Sequence, residues 1–196
     1  MLRYNTESVL SVWDTKLLMV INVRLHHPAV MTLMGMITWL GDHRVVPVVA
    51  AVGAVVAWRR RRPEAGFRRD VVASLVGLSA ALLMAGVLKG VIDRPRPAEV
   101  VNPLYVMPET ILGAAFPSWH AAGAFGLAAV WSWVWPRGSA YWWGLAGLVA
   151  LSRVYLGAHF PSDCLAGALL GMGLVYAMVW GVRWLEARLR LKNKEE

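Results

Sequence analysis

Five apolar stretches separated by short charged segments dominate the sequence, at residues 44–58, 70–92, 118–135, 140–157 and 162–184. An apolar run of about 20 residues, rising 1.5 Å per residue, spans the hydrocarbon core of a bilayer. Inside lipid the backbone must satisfy its own hydrogen bonds, so such runs fold as helices. The pattern predicts an all-α integral membrane bundle of five to six transmembrane helices in a single domain over residues 1–196. Its parts are N-terminal helices over 1–40, the bundle over 44–184 and a cytoplasmic tail over 185–196. Composition agrees, because 58% of the residues are hydrophobic, more than the roughly 45–50% of soluble domains.

The N-terminal region follows a different pattern. Over residues 6–25, Val9, Leu10, Val12, Trp13, Leu17, Val20 and Ile21 can form one helical stripe, which predicts a helix lying in the membrane interface. His26-His27-Pro28 breaks it, and residues 28–40 form a shorter apolar helix that Gly41-Asp42 ends. An alternative joins 17–40 into a sixth span, at the cost of placing Arg24, His26, His27 and Pro28 within it. Asp14, Lys16 and Arg24 interrupt the early apolar residues, so no signal-peptide core is expected. The one cysteine, Cys164, excludes an internal disulfide and a cysteine metal cluster, and reads as a small apolar residue in a helix.

A net charge of +8 raises the question of nucleic acid. Its distribution argues instead for membrane loops facing anionic headgroups. The loop "WRRRRPEAGFRR" holds six arginines, Arg137 sits in the loop after 118–135, and Arg183, Arg188, Arg190, Lys192 and Lys194 mark the C-terminal end. With five spans these three regions share one side, which the positive-inside rule makes cytoplasmic. Trp131, Trp133, Trp135, Trp142 and Trp143 bracket the short inner loop as lipid anchors would.

That topology sends Lys89, Arg94, Arg96, Ser118, His120, Arg153, His159 and Asp163 toward the opposite face. Ionisable groups at membrane depth default to a functional reading. A single lysine or arginine there is explained by snorkelling, but convergence from four segments is not. Clustered cations call for an anion with several oxygens; the guanidinium fork suits phosphate and lysine supplies a point charge. In Arg94-Pro95-Arg96-Pro97 the prolines stop the helix and restrict the arginines. Phe116-Pro117-Ser118 leads into a helix N-terminus, whose free amides favour anions. Of two histidines, one can attack phosphorus as a neutral imidazole and the other can protonate the leaving oxygen. Asp163 follows His159 by four residues, one turn if a helix opens near Pro161, and can hold its tautomer. The rival reading is a metal held by His120, His159 and Asp163. Neighbouring cations oppose a dication there, and Glu99 and Glu109 are isolated.

The motifs Lys89-x6-Arg96-Pro97, Pro117-Ser118-Trp119-His120 and Ser152-Arg153-x5-His159-x3-Asp163 resemble those of the type-2 phosphatidic acid phosphatases. That superfamily also contains bacterial acid phosphatases and vanadium haloperoxidases, and its motifs are K-x6-RP, PSGH and SR-x5-H-x3-D. The motifs span residues 89–163, and only the PSGH glycine departs, being Trp119 here. The resemblance implies a metal-free, cofactor-free lipid phosphatase acting on a lipid phosphate or pyrophosphate. It implies His159 as nucleophile, Asp163 as its orienter and His120 as general acid. Lys89, Arg96, Arg153, Ser118 and the amides around Trp119 would bind the phosphoryl group. It further implies a bacterial inner-membrane location with the site facing the periplasm. Candidate substrates are undecaprenyl pyrophosphate, phosphatidylglycerol phosphate, phosphatidic acid and a lipid A phosphate. Phosphotransfer to another lipid, or non-catalytic binding of anionic lipids, would use the same site.

Two positions stay open at this level. Arg94 lies outside the invariant set and reads as a charge on the outer face, or as a contact with a second phosphate. Trp119 adds bulk where the family has glycine; it either lines the lipid's route to the site or packs in the bundle. His26, His27 and His43 match no motif and read as interfacial or structural.

Overall fold

The structure, a computed structural model, describes residues 9–60, 65–107 and 113–193. Residues 6–8 of the predicted first helix, Arg61 and Arg62 of the basic loop, Glu109 and Lys194 lie outside the described residues. Among those described there is helix, turn and loop and no strand. In chain order the helices are α1 (Val9–Met19), α2 (Pro28–Thr38), α3 (Val45–Arg60), α4 (Ala65–Ile92), α5 (Pro97–Val100), α6 (Trp119–Val134), α7 (Ser139–Tyr155) and α8 (Pro161–Lys192). Each of the five predicted apolar stretches is a helix within a few residues of its expected ends, and α8 continues past 184 to Lys192.

α6 forms the centre, packed against α8, α4 and α7. Small residues permit the approach. A methyl group at Gly167 would collide with the Ser118 carbonyl, and one at Gly171 with that of Ala122. These positions set α8 directly against the first turns of α6. Val46, Ala50, Leu78, Ala129, Val130 and Val175 fill the interior between α3, α4, α6 and α8.

By length and composition two stretches can cross a membrane, Gly66–Val100 and Pro161–Lys192. The pair Val12–Arg24 and Pro28–Gly41, bent by 118°, makes a third if it is one broken span. α3, α6 and α7 have 16, 16 and 17 residues, about 24–26 Å of helix against a hydrocarbon core of about 30 Å. Helix length alone therefore does not carry the expected five to six spans. The bend falls where the sequence places it: Pro28 opens α2, and the His27 Nδ1 caps it by accepting from the Ala29 amide at 3.3 Å.

The first helix turns most of its apolar stripe away from the bundle. Val12, Trp13, Leu17 and Val20 are exposed, although Ile21 packs inward; the side chains of Val9 and Leu10 lie outside the description. The face against the bundle is Asp14, Leu18 and Asn22, spaced i, i+4, i+8 and all buried. In a lipid surround an apolar face gains nothing by turning inward, whereas polar groups must find protein partners. Asn22 does so. Its Nδ2 donates to the carbonyls of Tyr105 and Tyr155, each at 2.7 Å, and its Oδ1 accepts from the Tyr105 amide.

The basic end is tied by charge. Arg183 on α8 donates to Asp70 on α4 from Nε at 2.9 Å, Arg69 also bonds Asp70, and Arg69 pairs with Glu186. Trp131 departs from its expected role as a lipid anchor. It is buried, stacks on Trp135 at 4.7 Å and packs with Ala54, Ala57 and Val71, because Gly53 of α3 leaves room for its ring.

Candidate active site

At the end of the bundle opposite the basic loops, the last turn of α4, the 93–96 segment, the start of α6, the end of α7 and the start of α8 converge. The turn after α7 explains how His159 arrives there. Gly157 has φ +68°, a left-handed conformation that favours glycine. The chain then folds back, so the amides of Ala158 and His159 both donate to the Arg153 carbonyl, at 3.0 and 3.3 Å. His159 is thus buried directly beside the turn that carries Arg153.

Arg96 is the other centre of the cluster. It is 4% exposed; its Nε donates to the Gly113 carbonyl and its Nη1 to the Ala158 carbonyl, both at 2.8 Å. The same Nη1 lies 3.4 Å from the His159 Nε2. Lys89 donates to the Ala114 carbonyl at 2.5 Å, and Arg153 donates to the Thr38 Oγ1 at 2.8 Å. The 113–115 segment lies against these cations, and the Ala115 amide bonds the Arg94 carbonyl. His120, on the first turn of α6, is half-buried and lies in the field of Arg153, His159, His43 and Arg96. Burial, followed by the charges of Arg153, Arg96 and Lys89, holds the His159 imidazole well below its ordinary pKa. It is a neutral base at pH 7, with Nε2 beside a guanidinium.

Asp163 is buried at the start of α8, and its Oδ2 accepts from the Phe160 amide at 2.9 Å, closing the first turn. Oδ2 is also the carboxylate atom nearest the His159 Nδ1, at 3.7 Å. That is a charge contact, longer than a hydrogen bond, so the expected tautomer-holding bond is not formed in this state. Ser118 is fully buried as the N-cap of α6. Its Oγ accepts from the Ala121 amide at 3.4 Å, while its own amide is taken by the Asp163 carbonyl at 3.0 Å. The first-turn amides of Trp119 and His120 have no carbonyl within the helix to bond.

Trp119 occupies the first helical position, with ordinary helical backbone rather than positive φ, so a side chain costs the backbone nothing here. Its indole N–H donates to the Leu82 carbonyl at 3.0 Å, and the ring lies against Gly86 of α4, between Lys89 and His43. The tryptophan fills the groove between α4 and α6, which favours the packing alternative.

Arg94 requires a correction. It is no outer-face charge but is 8% exposed, paired with Asp163 and, at 2.9 Å, with Asp14, and it lies over the Phe160 ring. Asp14, Thr38 and Asn22 are the site-side residues that motif reading missed. The available signal was a carboxylate and an amide eight residues apart on an otherwise apolar helix. His26 stacks on Tyr105 at 3.5 Å, and Glu99 accepts from the Arg96 amide; both serve local structure. Among the described residues no three of His, Cys, Asp and Glu are arranged to hold a metal ion, so His120, His159 and Asp163 do not form a ligand set.

The same arrangement of helices is found in solved membrane phosphatases. The crystal structure of Aquifex aeolicus LpxE superposes with a TM-score of 0.70 at 23% identity, covering 85% of this chain and 94% of that one. The transmembrane phosphatidylglycerolphosphate phosphatase of Bacillus subtilis gives 0.69 at 24% identity, with 91% and 88% covered. In sequence the chain is 29% identical over 160 residues to an undecaprenyl-diphosphatase of Sulfolobus acidocaldarius, covering 79% of this chain and 73% of the relative. The PAP2 superfamily family model matches residues 70–187, a range that contains all three motifs, and on this ground the chain belongs to the PAP2 superfamily.

Proposed function

We propose that the chain is a membrane lipid phosphatase that hydrolyses a phosphomonoester or diphosphate headgroup through a phosphohistidine. The observation that carries this reading is the buried pairing of the neutral His159 Nε2 with the Arg96 Nη1 at 3.4 Å. A nucleophile and a phosphate-binding fork meet at one point. The Nε2 lone pair attacks phosphorus; the bond from phosphorus to the leaving oxygen breaks, and His120, which takes up a proton when the anionic headgroup offsets the surrounding cations, supplies that oxygen's proton. Water then attacks the phosphohistidine, giving its proton to His120, and inorganic phosphate and neutral His159 are released. Lys89, Arg96 and Arg153, with the amides of Trp119 and His120, stabilise the charge on the phosphoryl oxygens. Three cations supply the neutralisation that a divalent metal otherwise gives, so the reaction is metal-independent. Asp163 faces the Nδ1 that becomes positive in the intermediate.

The basic loops are placed at the cytoplasmic side, so the site faces the outside of a bacterial inner membrane. The undecaprenyl-diphosphatase match covers most of the chain, which makes a polyprenyl diphosphate the first substrate to test. The experiment is phosphate release by purified protein in detergent with EDTA. The panel contains polyprenyl diphosphate, phosphatidylglycerol phosphate, phosphatidic acid and lipid A phosphate. Release that His159→Ala abolishes in a folded protein is expected. Wild-type turnover by that variant, or EDTA-sensitive activity, would sink the mechanism.

A further inference from the structure

We propose that Asp14, on the N-terminal helix and outside every motif, is a positioning residue of the catalytic centre: it shares the guanidinium of Arg94 with Asp163 and so fixes the carboxylate facing His159. The inference rests on the phosphatase reading above.

Asp14 is 7% exposed, although the adjacent Val12 and Trp13 of α1 face outward at 42% and 68%. A buried carboxylate costs several kcal/mol unless it is paired and hydrogen-bonded. Asp14 meets both conditions with residues of the catalytic end. Its Oδ1 accepts from the Ser162 amide at 2.8 Å, and its Oδ2 accepts from the Arg94 Nη2 at 2.9 Å and from the Ser162 hydroxyl. The Arg94 Nη1 donates to the Asp163 Oδ1 and, at 2.7 Å, to the Ser162 Oγ. One guanidinium is therefore held between carboxylates from α1 and α8, with the Phe160 ring 4.3 Å away. With Oδ1 of Asp163 occupied by Arg94, its Oδ2 is left to the Phe160 amide and to the His159 Nδ1.

The charge count shows what Asp14 contributes. Two carboxylates around one guanidinium leave a net charge of −1 beside His159. Without Asp14 the remaining pair is neutral, and Arg94 pairs with Asp163 alone. The imidazole that becomes cationic on taking the phosphoryl group then loses part of its stabilisation. Asp14 bonds Arg94 and Ser162, which lie outside the set assigned to the phosphoryl oxygens. The effect falls on kcat rather than KM.

The purified full-length enzyme tests this with its best phosphate-releasing substrate. Asp14→Asn keeps the shape and removes the charge. It is expected to lower kcat about 10- to 100-fold, by analogy with the loss of an outer partner that orients a metal-ligating histidine. KM should stay within about threefold. In an Asp163→Asn background the same change should cost under about threefold, because the two act as one unit. Leu18→Ala loosens the same helix one turn away without altering charge, and should leave kcat within about threefold. Wild-type kcat in Asp14→Asn overturns the proposal, as does its full effect persisting without Asp163. A fall in Leu18→Ala equal to that in Asp14→Asn would reduce Asp14 to an anchor for α1 and overturn it too. Absence of phosphate release from the wild type on every substrate would instead be a failure of the phosphatase reading, which separates the two.

Discussion

Arg96→Lys keeps the charge at the centre of the site and removes the geometry. The guanidinium places Nε on the Gly113 carbonyl and Nη1 on the Ala158 carbonyl, both at 2.8 Å, while Nη1 also lies 3.4 Å from His159 Nε2. One ammonium cannot occupy both places. It can brace the 113–114 carbonyls or face the phosphoryl group, so at least one charge-assisted bond is lost in the transition state. Such a bond contributes about 1.5–3 kcal/mol, which corresponds to roughly 10- to 150-fold in kcat/KM. Arg96→Ala loses the charge as well and should fall further, by about a thousandfold or more. The assay is initial-rate phosphate release in detergent, with melting temperature measured in parallel to separate misfolding from catalysis. Wild-type activity in Arg96→Lys would show that the fork is not used. Equal losses in the lysine and alanine variants would show that the charge is not used, and either result refutes the role assigned to Arg96.

Two further expectations follow from the site. Because burial and the neighbouring cations hold His159 well below its ordinary value, the free enzyme keeps its neutral nucleophile as pH falls through about 6.5. The acid limb of kcat/KM should therefore lie below that pH once substrate ionisation is separated out, and a limb at or above it would contradict the neutral buried imidazole. Trp119→Gly restores the family residue on a backbone that is already helical. It should leave kcat within about threefold while removing the Leu82 bond and the packing on Gly86. That costs roughly 2 kcal/mol, read as a fall of several degrees in detergent melting temperature; a loss of activity above tenfold in folded protein would place the indole in the chemistry.

Much of this molecule was legible before any coordinates. Apolar run lengths placed α3, α4, α6, α7 and α8, because a lipid surround leaves helix as the one local solution for such segments. Proline and glycine chemistry at His26-His27-Pro28 and Gly41-Asp42 marked the breaks around α2. The motif spacings named Lys89, Arg96, Ser118, His120, Arg153, His159 and Asp163, and the chain brings them to one end of the bundle because their helices share that end.

The sequence by itself therefore determined the helices, their breaks and the candidate site residues. What it could not determine depends on which atoms meet across distant segments. An apolar stripe on α1 has the same period whether it faces protein or lipid. Only packing shows that Asp14, Leu18 and Asn22 turn inward while Val12 and Trp13 turn out. Arg94 reads as a surface charge until two carboxylates, from positions 14 and 163, are found on either side of it. Trp119 reads equally as a lining of the lipid's route or as bundle packing until Gly86, on another helix, is seen to leave room for its ring. A periodic signal reports which residues share a face, and a motif reports which groups react. The direction a face points, and the partner that neutralises a buried charge, are settled by contacts between segments that the linear order does not encode.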